Sequence, residues 1–224
     1  MFKPIIKNWN EVMEIKIVKN FKFKLNRNQI IKALRSYGEI LNENELTLFY
    51  NSMLPILYQL VQPAAIFDIC TNEIPTYDDK YQYIVPCIIT AGTTVDKKIE
   101  NYFSDNRPKE GLVLDAMCTS YLFEISSQLF NCIYENTSKM NLGLSCRISP
   151  GDDKLPLKYQ KNILDRLNID NILDLNITEN YMLTSMHSMT YIYGADKNIK
   201  LNKFDHNCAN CKNKEFCNMR KDLV

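Results

Sequence analysis

The order of the predicted elements indicates an α+β fold, with a mixed or antiparallel sheet and helices packed against it. Strands and helices do not alternate regularly, and the last predicted strands are close neighbours along the chain. A long apolar segment from Pro108 to about Tyr134 predicts a helix that is buried around most of its circumference. No linker rich in Gly, Ser or Pro divides the sequence. We therefore expect one α+β domain over residues 1–200, followed by a cysteine-rich tail over residues 201–224.

The first third of the chain predicts one strand and two helices. Apolar and polar residues alternate over residues 12–18, which is the period of a half-buried strand. Asn26 is a suitable cap for a helix over residues 27–37. A second helix is expected over residues 44–61, with a kink or an interruption at Pro55 because proline lacks a backbone donor.

The middle of the chain predicts two strands and a helix that precedes the long one. Apolar runs predict strands over residues 65–70 and 83–89, and Pro86 places the second at a sheet edge or a bulge. Threonines at the start of the segment 93–103 offer N-caps for a helix. The last third predicts a strand, a helix and two further strands: residues 142–148, 157–167, 173–177 and 188–193.

Composition and charge exclude several classes of protein. Of the 224 residues, 46% are hydrophobic, which is enough for a core, and 27 basic residues nearly balance 26 acidic ones. A net charge of +1 gives no basic footprint for nucleic acid or an anionic membrane. Charges interrupt every apolar run before the ~20 residues that span a bilayer, and no export signal is evident. We therefore expect a cytoplasmic protein whose eight cysteines stay reduced.

The segment 147–157 contains the best local candidate for a binding site. A predicted strand ends near Arg147, Pro150 fixes one backbone dihedral, and Gly151 lets another group approach the backbone closely. An arginine at such a point can bind a carboxylate through two parallel hydrogen bonds. The alternative is an ordinary strand-to-helix turn, in which an aspartate after the glycine caps the helix and Arg147 lies at the surface.

The same segment resembles a known family. Its Arg-x-Ser-Pro-Gly run, followed by Leu-Pro-Leu, is similar to the S-adenosylmethionine-binding activation (reactivation) domain of cobalamin-dependent methionine synthase. The similarity is greatest to the stand-alone forms of that domain in anaerobic bacteria. Residues 90–96, 114–116 and 175–194 also resemble segments of the family, in the same order. The resemblance therefore spans most of the chain.

The resemblance implies the fold of the activation domain and an accessory role in methyl transfer. Members of the family bind S-adenosylmethionine, dock on the cobalamin-bearing module, and present the methyl group to cobalt that an electron donor has reduced. The implied partners are a cobalamin-binding methionine synthase or related corrinoid protein, and a flavodoxin- or ferredoxin-type donor. Whether the chain itself is an enzyme stays open, because such a domain mainly supplies proximity and orientation.

By position, the resemblance assigns ligand binding to six residues: Arg147, Ser149, Gly151, Asp152, Tyr191 and Tyr193. The arginine corresponds to the family arginine that contacts the ligand, and the serine and the glycine fall at backbone contacts beside it. The family usually has a tyrosine after this glycine, where the present chain has an aspartate whose carboxylate favours a positive sulfonium. The two tyrosines either contact the ligand or pack in the core.

The C-terminal tail contains a second candidate site, made of four residues that suit a soft metal ion: His206, Cys208, Cys211 and Cys217. Cysteines in such a polar segment are hard to explain by packing. Zinc would take all four, whereas an iron–sulfur cluster would take a fourth ligand such as Cys132, Cys146 or a partner's group. We favour the cluster, since a cobalamin activator uses low-potential electrons. Free or redox-active thiols, or no role, are the alternatives.

Other titratable residues carry no assigned role. We interpret His187 as a hydrogen-bonded structural residue and Cys118 as a small core side chain. Asp96, Asp115 and Glu124 are not brought together by their spacing. The alternative function is a non-enzymatic metal or iron–sulfur module for interaction or electron transfer, in which the ligand cleft has decayed.

Overall fold

Strands of one antiparallel sheet and five α-helices form most of the chain that the structure describes. The computed structural model describes residues 14–73, 81–152 and 155–200. In chain order the elements are β1 (Lys16–Val18), α1 (Arg27–Ser36), α2 (Glu43–Leu60), β2 (Ala64–Phe67), β3 (Cys70–Thr71), β4 (Tyr83–Thr90), α3 (Thr94–Ser104), α4 (Pro108–Lys139), β5 (Gly143–Leu144), α5 (Tyr159–Leu167), a 3-10 helix (Ile169–Asn171) and β6 (Ser188–Asp196).

The sheet has the strand order β1-β2-β4-β6-β5, and the short β3 also pairs with β4. The pairing of β4 with β6 is the longest ladder, running from Tyr83 opposite Ala195 to Thr90 opposite Ser188. Every ladder between the described strands is antiparallel. The predicted α+β class with an antiparallel sheet is therefore confirmed.

Two apolar clusters cover the two faces of this sheet. Because successive side chains of a strand point to opposite faces, Val85 and Cys87 alternate with Ile84 and Ile88 along β4. The first pair packs in the larger cluster with residues of α1 to α4, and the second pair packs in the cluster that contains α5. The predicted long helix is confirmed and extends to Lys139, with buried residues along its whole length. In the part of the chain with assigned positions, no helix is long and apolar enough to cross a membrane.

The two N-terminal helices begin at the expected kind of residue. Asn26 caps α1 by accepting hydrogen bonds from the backbone N–H groups of residues 28 and 29. Asn42 and Glu45 form a capping box at the start of α2, so this helix begins slightly earlier than predicted. The helix continues through Pro55 without interruption, since only one backbone donor is lost and the buried face of the helix holds the turns on both sides.

The prediction that Pro86 lies at a sheet edge or a bulge is wrong. The pairs on either side of it, Phe67 with Cys87 and Cys70 with Ile84, keep one register, so no residue is inserted there. The strand β4 runs inside the sheet, between β2 and β6, and Pro86 lies opposite Ile192. Its carbonyl accepts a hydrogen bond from the N–H of Asp68, which lies between the end of β2 and the start of β3. Because proline cannot return that bond, the ladder on this side is interrupted instead of being extended.

The prediction of a strand over residues 173–177 is wrong. This segment forms only an isolated bridge between Ile177 and Leu183, closed by a hydrogen bond from the N–H of Thr178 to the carbonyl of Met182 at 2.8 Å. Its apolar residues pack as irregular chain against the cluster around α5, and Leu175 is buried there. The strand predicted over residues 142–148 is reduced to β5 and one further bridge.

Candidate functional site

The predicted binding segment runs along the edge of the sheet, beside β6 and on the side opposite β4. After β5 the chain returns to β6 through a bridge in which Ile148 and Ile192 exchange backbone hydrogen bonds of 3.0 and 2.9 Å. This bridge fixes the positions of Arg147 and Ser149, which flank Ile148. The Ser-Pro-Gly bend, residues 149–151, therefore begins beside the middle of β6.

The bend is a closed hydrogen-bonded turn. The N–H of Asp152 donates to the carbonyl of Ser149 at 3.0 Å, and the N–H of Ser149 donates to the Asp152 carboxylate at 2.8 Å. Asp152 therefore holds the bend itself and does not cap α5, which begins later at Tyr159. Gly151 has a φ of +98°, and among the described residues beyond its chain neighbours a Cβ there would meet only Leu157, at 3.8 Å. The backbone geometry requires glycine.

Arg147 lies half-buried at the junction of α4 and β6. Its Nη1 donates to the hydroxyl of Ser126 at 2.5 Å, and its Cζ lies 5.0 Å from the ring centroid of Tyr191. The hydroxyl groups of Ser126 and Tyr191 lie 3.4 Å apart. The guanidinium is thus held by a buried side chain of the helix and a buried ring of the strand, rather than lying loosely at the surface.

The two predicted tyrosines have different surroundings. Tyr191 contacts both Ser126 and Arg147, as described above. Tyr193 is fully buried, with its ring 5.9 Å from Phe130 and perpendicular to the ring of Tyr191. A ligand role for either ring stays a prediction. The surroundings of Tyr193 are those of a residue packed in the core. Ser126 was not foreseen as a site residue, because nothing in the sequence indicates which face of the long helix meets Arg147.

A second polar cluster lies at the end of the β4–β6 ladder where Thr90 pairs with Ser188. The ring of His187 lies between two carboxylates: its Nδ1 is 2.5 Å from Asp96 Oδ1, and its Nε2 is 3.4 Å from Asp115 Oδ1. The hydroxyl of Tyr37 donates to Asp115 Oδ2 at 2.5 Å. Burial opposes the charge on His187, yet the hydrogen bonds to Asp115 and Asp96 prevail and raise its pKa to about 12.

This cluster resembles a nucleophile-activating triad but lacks its chemistry. Burial raises the pKa of the Cys118 thiol, which interacts with His187, so the thiolate is disfavoured. An imidazole whose pKa is about 12 stays protonated near neutral pH and cannot act as a base. His187 is therefore hydrogen-bonded as expected, while the joining of Asp96 and Asp115 through it was not expected. No local sequence pattern indicated it, because the residues lie on α3, on α4 and before β6.

The predicted metal ligands His206, Cys208, Cys211 and Cys217 lie outside the described residues, so this hypothesis stays untested. Residues 14–73, 81–152 and 155–200 contain no group of three or more His, Cys, Asp or Glu side chains arranged to hold a metal. The two cysteines considered as a further ligand are free thiols, and Cys146 is the exposed one.

Comparison with known proteins supports the fold. The sequence matches no protein-family model and no curated protein. Among solved structures, the chain is similar to one described as "Crystal Structure of the MetH Reactivation Domain bound to AdoHcy". The TM-score is 0.64 at 11% sequence identity, and the match covers 86% of this chain and 81% of the other. At this identity the likeness shows a shared fold, which is the fold that the sequence resemblance implied.

Proposed function

We propose that this chain is an accessory protein for the reductive reactivation of a cobalamin-dependent methionine synthase or a related corrinoid methyltransferase. In this role it binds S-adenosylmethionine beside the Ser-Pro-Gly bend and presents the methyl group to its partner. The observation that carries the proposal is the fold shared with a reactivation domain crystallised with AdoHcy, over 86% of this chain. The arrangement around Arg147 supplies the local support.

Arg147 suits the carboxylate of an amino-acid-type ligand. A guanidinium presents its N–H donors in a planar fork that matches the two oxygens of a carboxylate. Binding is favoured further when the guanidinium plane is already oriented before the ligand arrives. Ser126 and Tyr191 fix it here, through a hydrogen bond and the face of a ring. A ligand carboxylate therefore meets an oriented partner, and less side-chain entropy is lost on binding.

The bend suits the rest of such a ligand. Because Gly151 has no Cβ, a ligand can approach its backbone closely. The exposed carboxylate of Asp152 follows Gly151 directly in the chain and attracts the positive sulfonium of S-adenosylmethionine. A neutral thioether, as in S-adenosylhomocysteine, gains nothing from this charge, so Asp152 favours the methylated form.

The contribution of the chain is binding and orientation. In this proposal a flavodoxin- or ferredoxin-type donor first reduces the partner's cobalamin. The reduced cobalamin then accepts the sulfonium methyl group, and the ligand leaves as S-adenosylhomocysteine. Arg147 and the bend hold the ligand so that its methyl group faces the partner, which converts an encounter of two molecules into an oriented one. No acid, base or nucleophile of the chain is required for that step.

Calorimetric titration with S-adenosylmethionine and S-adenosylhomocysteine tests the proposal. We expect saturable binding, and Arg147→Ala is expected to weaken it at least about tenfold because a charge-assisted bidentate contact is lost. Arg27→Ala, which removes an exposed arginine paired with Glu43, serves as the matched control and is expected to leave binding unchanged. Absence of binding at millimolar ligand, or equal effects of both substitutions, would contradict the proposal.

A second proposal concerns the tail, residues 201–224, as a separate cysteine-rich unit. Its support is the Cys-x2-Cys-x5-Cys spacing with a preceding histidine, which suits zinc or an iron–sulfur cluster. Anaerobic purification with metal analysis and an absorption spectrum tests it. A brown protein with iron and sulfide favours an electron-transfer role, colourless protein with zinc favours a structural site, and metal-free protein contradicts both.

A further inference from the structure

One side of the strand β6 carries backbone groups that the sheet does not use. Along an antiparallel strand, every second residue directs both its N–H and its C=O to the same side. Ile192 exchanges two hydrogen bonds with Ile148, on the side away from β4. Counted back in steps of two, Thr190 and Ser188 direct their backbone groups to that side as well. We name these four groups, the N–H and C=O of Ser188 and of Thr190, the open edge of β6.

The open edge has no hydrogen-bond partner among residues 14–73, 81–152 and 155–200. The strand β5 pairs only with the far end of β6, opposite Ala195 and Asp196. Thr190 is nevertheless only 4% exposed, and Ser188 is 8% exposed. Buried backbone groups are nearly always hydrogen-bonded to protein, to water or to a ligand. Four such groups side by side therefore indicate a place that suits a polar molecule.

The Ser-Pro-Gly bend is the reason why this edge is open. If the antiparallel register of the bridge at Ile148 continued, residue 150 would lie opposite Thr190. Pro150 has no N–H to donate to the carbonyl of Thr190. Gly151 has a positive φ, and the residue after it donates its N–H within the bend. The bend thus ends the pairing along β6 and frees the backbone groups of the strand.

A buried amide lies beside the open edge. Gln160, in the first turn of α5, is 7% exposed, and its Oε1 accepts a hydrogen bond from the hydroxyl of Thr190 at 2.7 Å. In the part of the chain that the structure describes, its Nε2 has no hydrogen-bond partner. An unpaired donor on so buried a side chain is costly unless a ligand or water accepts its hydrogen bond. The amide is a second, independent indication of a polar ligand next to Thr190.

The pattern of donors and acceptors selects the class of ligand. The C=O of Ser188 is an acceptor and the N–H of Thr190 is a donor, and both face the same side of the strand. Their complement is a flat group that has a donor next to an acceptor. Adenine has such a pair, since its 6-amino group donates and a neighbouring ring nitrogen accepts. A peptide strand has one too, but strand addition uses a longer edge than these two residues.

We propose that the open edge of β6 binds the adenine ring of S-adenosylmethionine, an inference that rests on the proposed function. The C=O of Ser188 accepts from the 6-amino group, and the N–H of Thr190 donates to the neighbouring ring nitrogen. Gln160 offers its Nε2 donors to the same ligand. Tyr191 follows Thr190 in the strand, and its ring lies 5.0 Å from the guanidinium of Arg147. Adjacent residues of β6 thus serve the two ends of one molecule, the base and the carboxylate.

Hydrogen exchange of the full chain, followed at each backbone N–H by nuclear magnetic resonance, tests this inference. The probe is S-adenosylhomocysteine, which has the same adenine ring. We expect saturating ligand to slow exchange of the Thr190 N–H at least about tenfold, because a hydrogen bond then protects it. The N–H of Met189 faces β4, where this residue is paired with Ile89, and is the matched control whose exchange is expected to change much less.

A matched pair of ligands and a pair of variants check the donor–acceptor pattern by calorimetry. S-inosylhomocysteine has an oxygen in place of the 6-amino group and an N–H in place of the ring nitrogen, so both contacts are reversed. We expect it to bind at least about tenfold more weakly than S-adenosylhomocysteine. Thr190→Pro removes the outward N–H and leaves the side facing β4 intact, whereas Thr190→Val keeps that N–H. The first variant is expected to bind S-adenosylhomocysteine at least about tenfold more weakly than the second.

Equal affinity for the two ligands, or unaltered exchange at Thr190 with saturating S-adenosylhomocysteine, overturns the inference, because the open edge then holds water only. Binding that Arg147→Ala still weakens leaves the proposed function standing in that case, whereas absence of all binding contradicts both. If Thr190→Pro fails to fold, the exchange measurement and the pair of ligands decide, since both use the unaltered chain.

Discussion

The buried imidazolium of His187 gives the protein a stability that falls with rising pH. Its folded-state pKa is raised from 6.5 to about 12, so the proton is retained by the folded chain and lost by the unfolded chain between these values. The stabilisation is fully present below about pH 6.5 and is lost progressively as the pH rises. When unfolding releases one whole proton, the free energy of unfolding falls by about 1.4 kcal/mol per pH unit. We expect the free energy of unfolding to fall by about 1 kcal/mol from about pH 7 to about pH 8.

Urea unfolding followed by circular dichroism at several pH values measures this slope. The range below about pH 8 is chosen because unfolded thiols begin to ionise near pH 8.5, while burial raises the pKa of Cys118 in the folded chain. The slope is expected to disappear in His187→Gln, because that variant has no imidazole to hold the linked proton. If the wild-type slope equals that of a folded His187→Gln variant, the buried ion pair is not the source of the pH dependence.

Three further predictions concern single side chains. Ser126→Ala removes the acceptor that orients Arg147, so binding of S-adenosylhomocysteine measured by calorimetry should weaken by about threefold to tenfold, and unchanged affinity contradicts this role. Gly151→Ala forces a residue with a Cβ to adopt a φ of +98°, so the urea midpoint should fall by an amount equivalent to about 1 kcal/mol; an unaltered midpoint contradicts the strain. Asn42→Ala removes the capping box of α2 and should cost about 1 kcal/mol of stability in the same assay, while the neighbouring Asn44→Ala should cost much less.

The predictions from the sequence succeeded where local chemistry decides the structure. Asn26 marks the start of α1 because its side chain satisfies backbone donors within the next three residues. Pro108 begins α4, where its missing N–H would have had no helical partner. The all-round apolar pattern of that helix requires burial, which is what the structure shows.

The predictions failed where distant contacts decide. Pro86 suggested a sheet edge or a bulge, yet β2 and β3 lie beside β4 and the ladder is interrupted opposite the proline. The apolar residues 173–177 suggested a strand, yet packing against the cluster around α5 satisfies them without a ladder. In both cases the sequence pattern is compatible with two environments, and only the neighbouring elements select one.

In the candidate sites, too, local chemistry decides some features and distant contacts decide the others. The sequence alone determined that the Arg-x-Ser-Pro-Gly segment forms a bend. Proline fixes its own φ angle and glycine permits a positive φ, whatever surrounds them. Only the tertiary structure decided that the guanidinium of Arg147 lies between Ser126 and Tyr191. The same holds for the pairing of Asp96 and Asp115 around His187, residues up to 91 positions apart. Side chains so far apart in the chain meet because the packing of helices on the sheet sets their distance, and no local pattern records that distance.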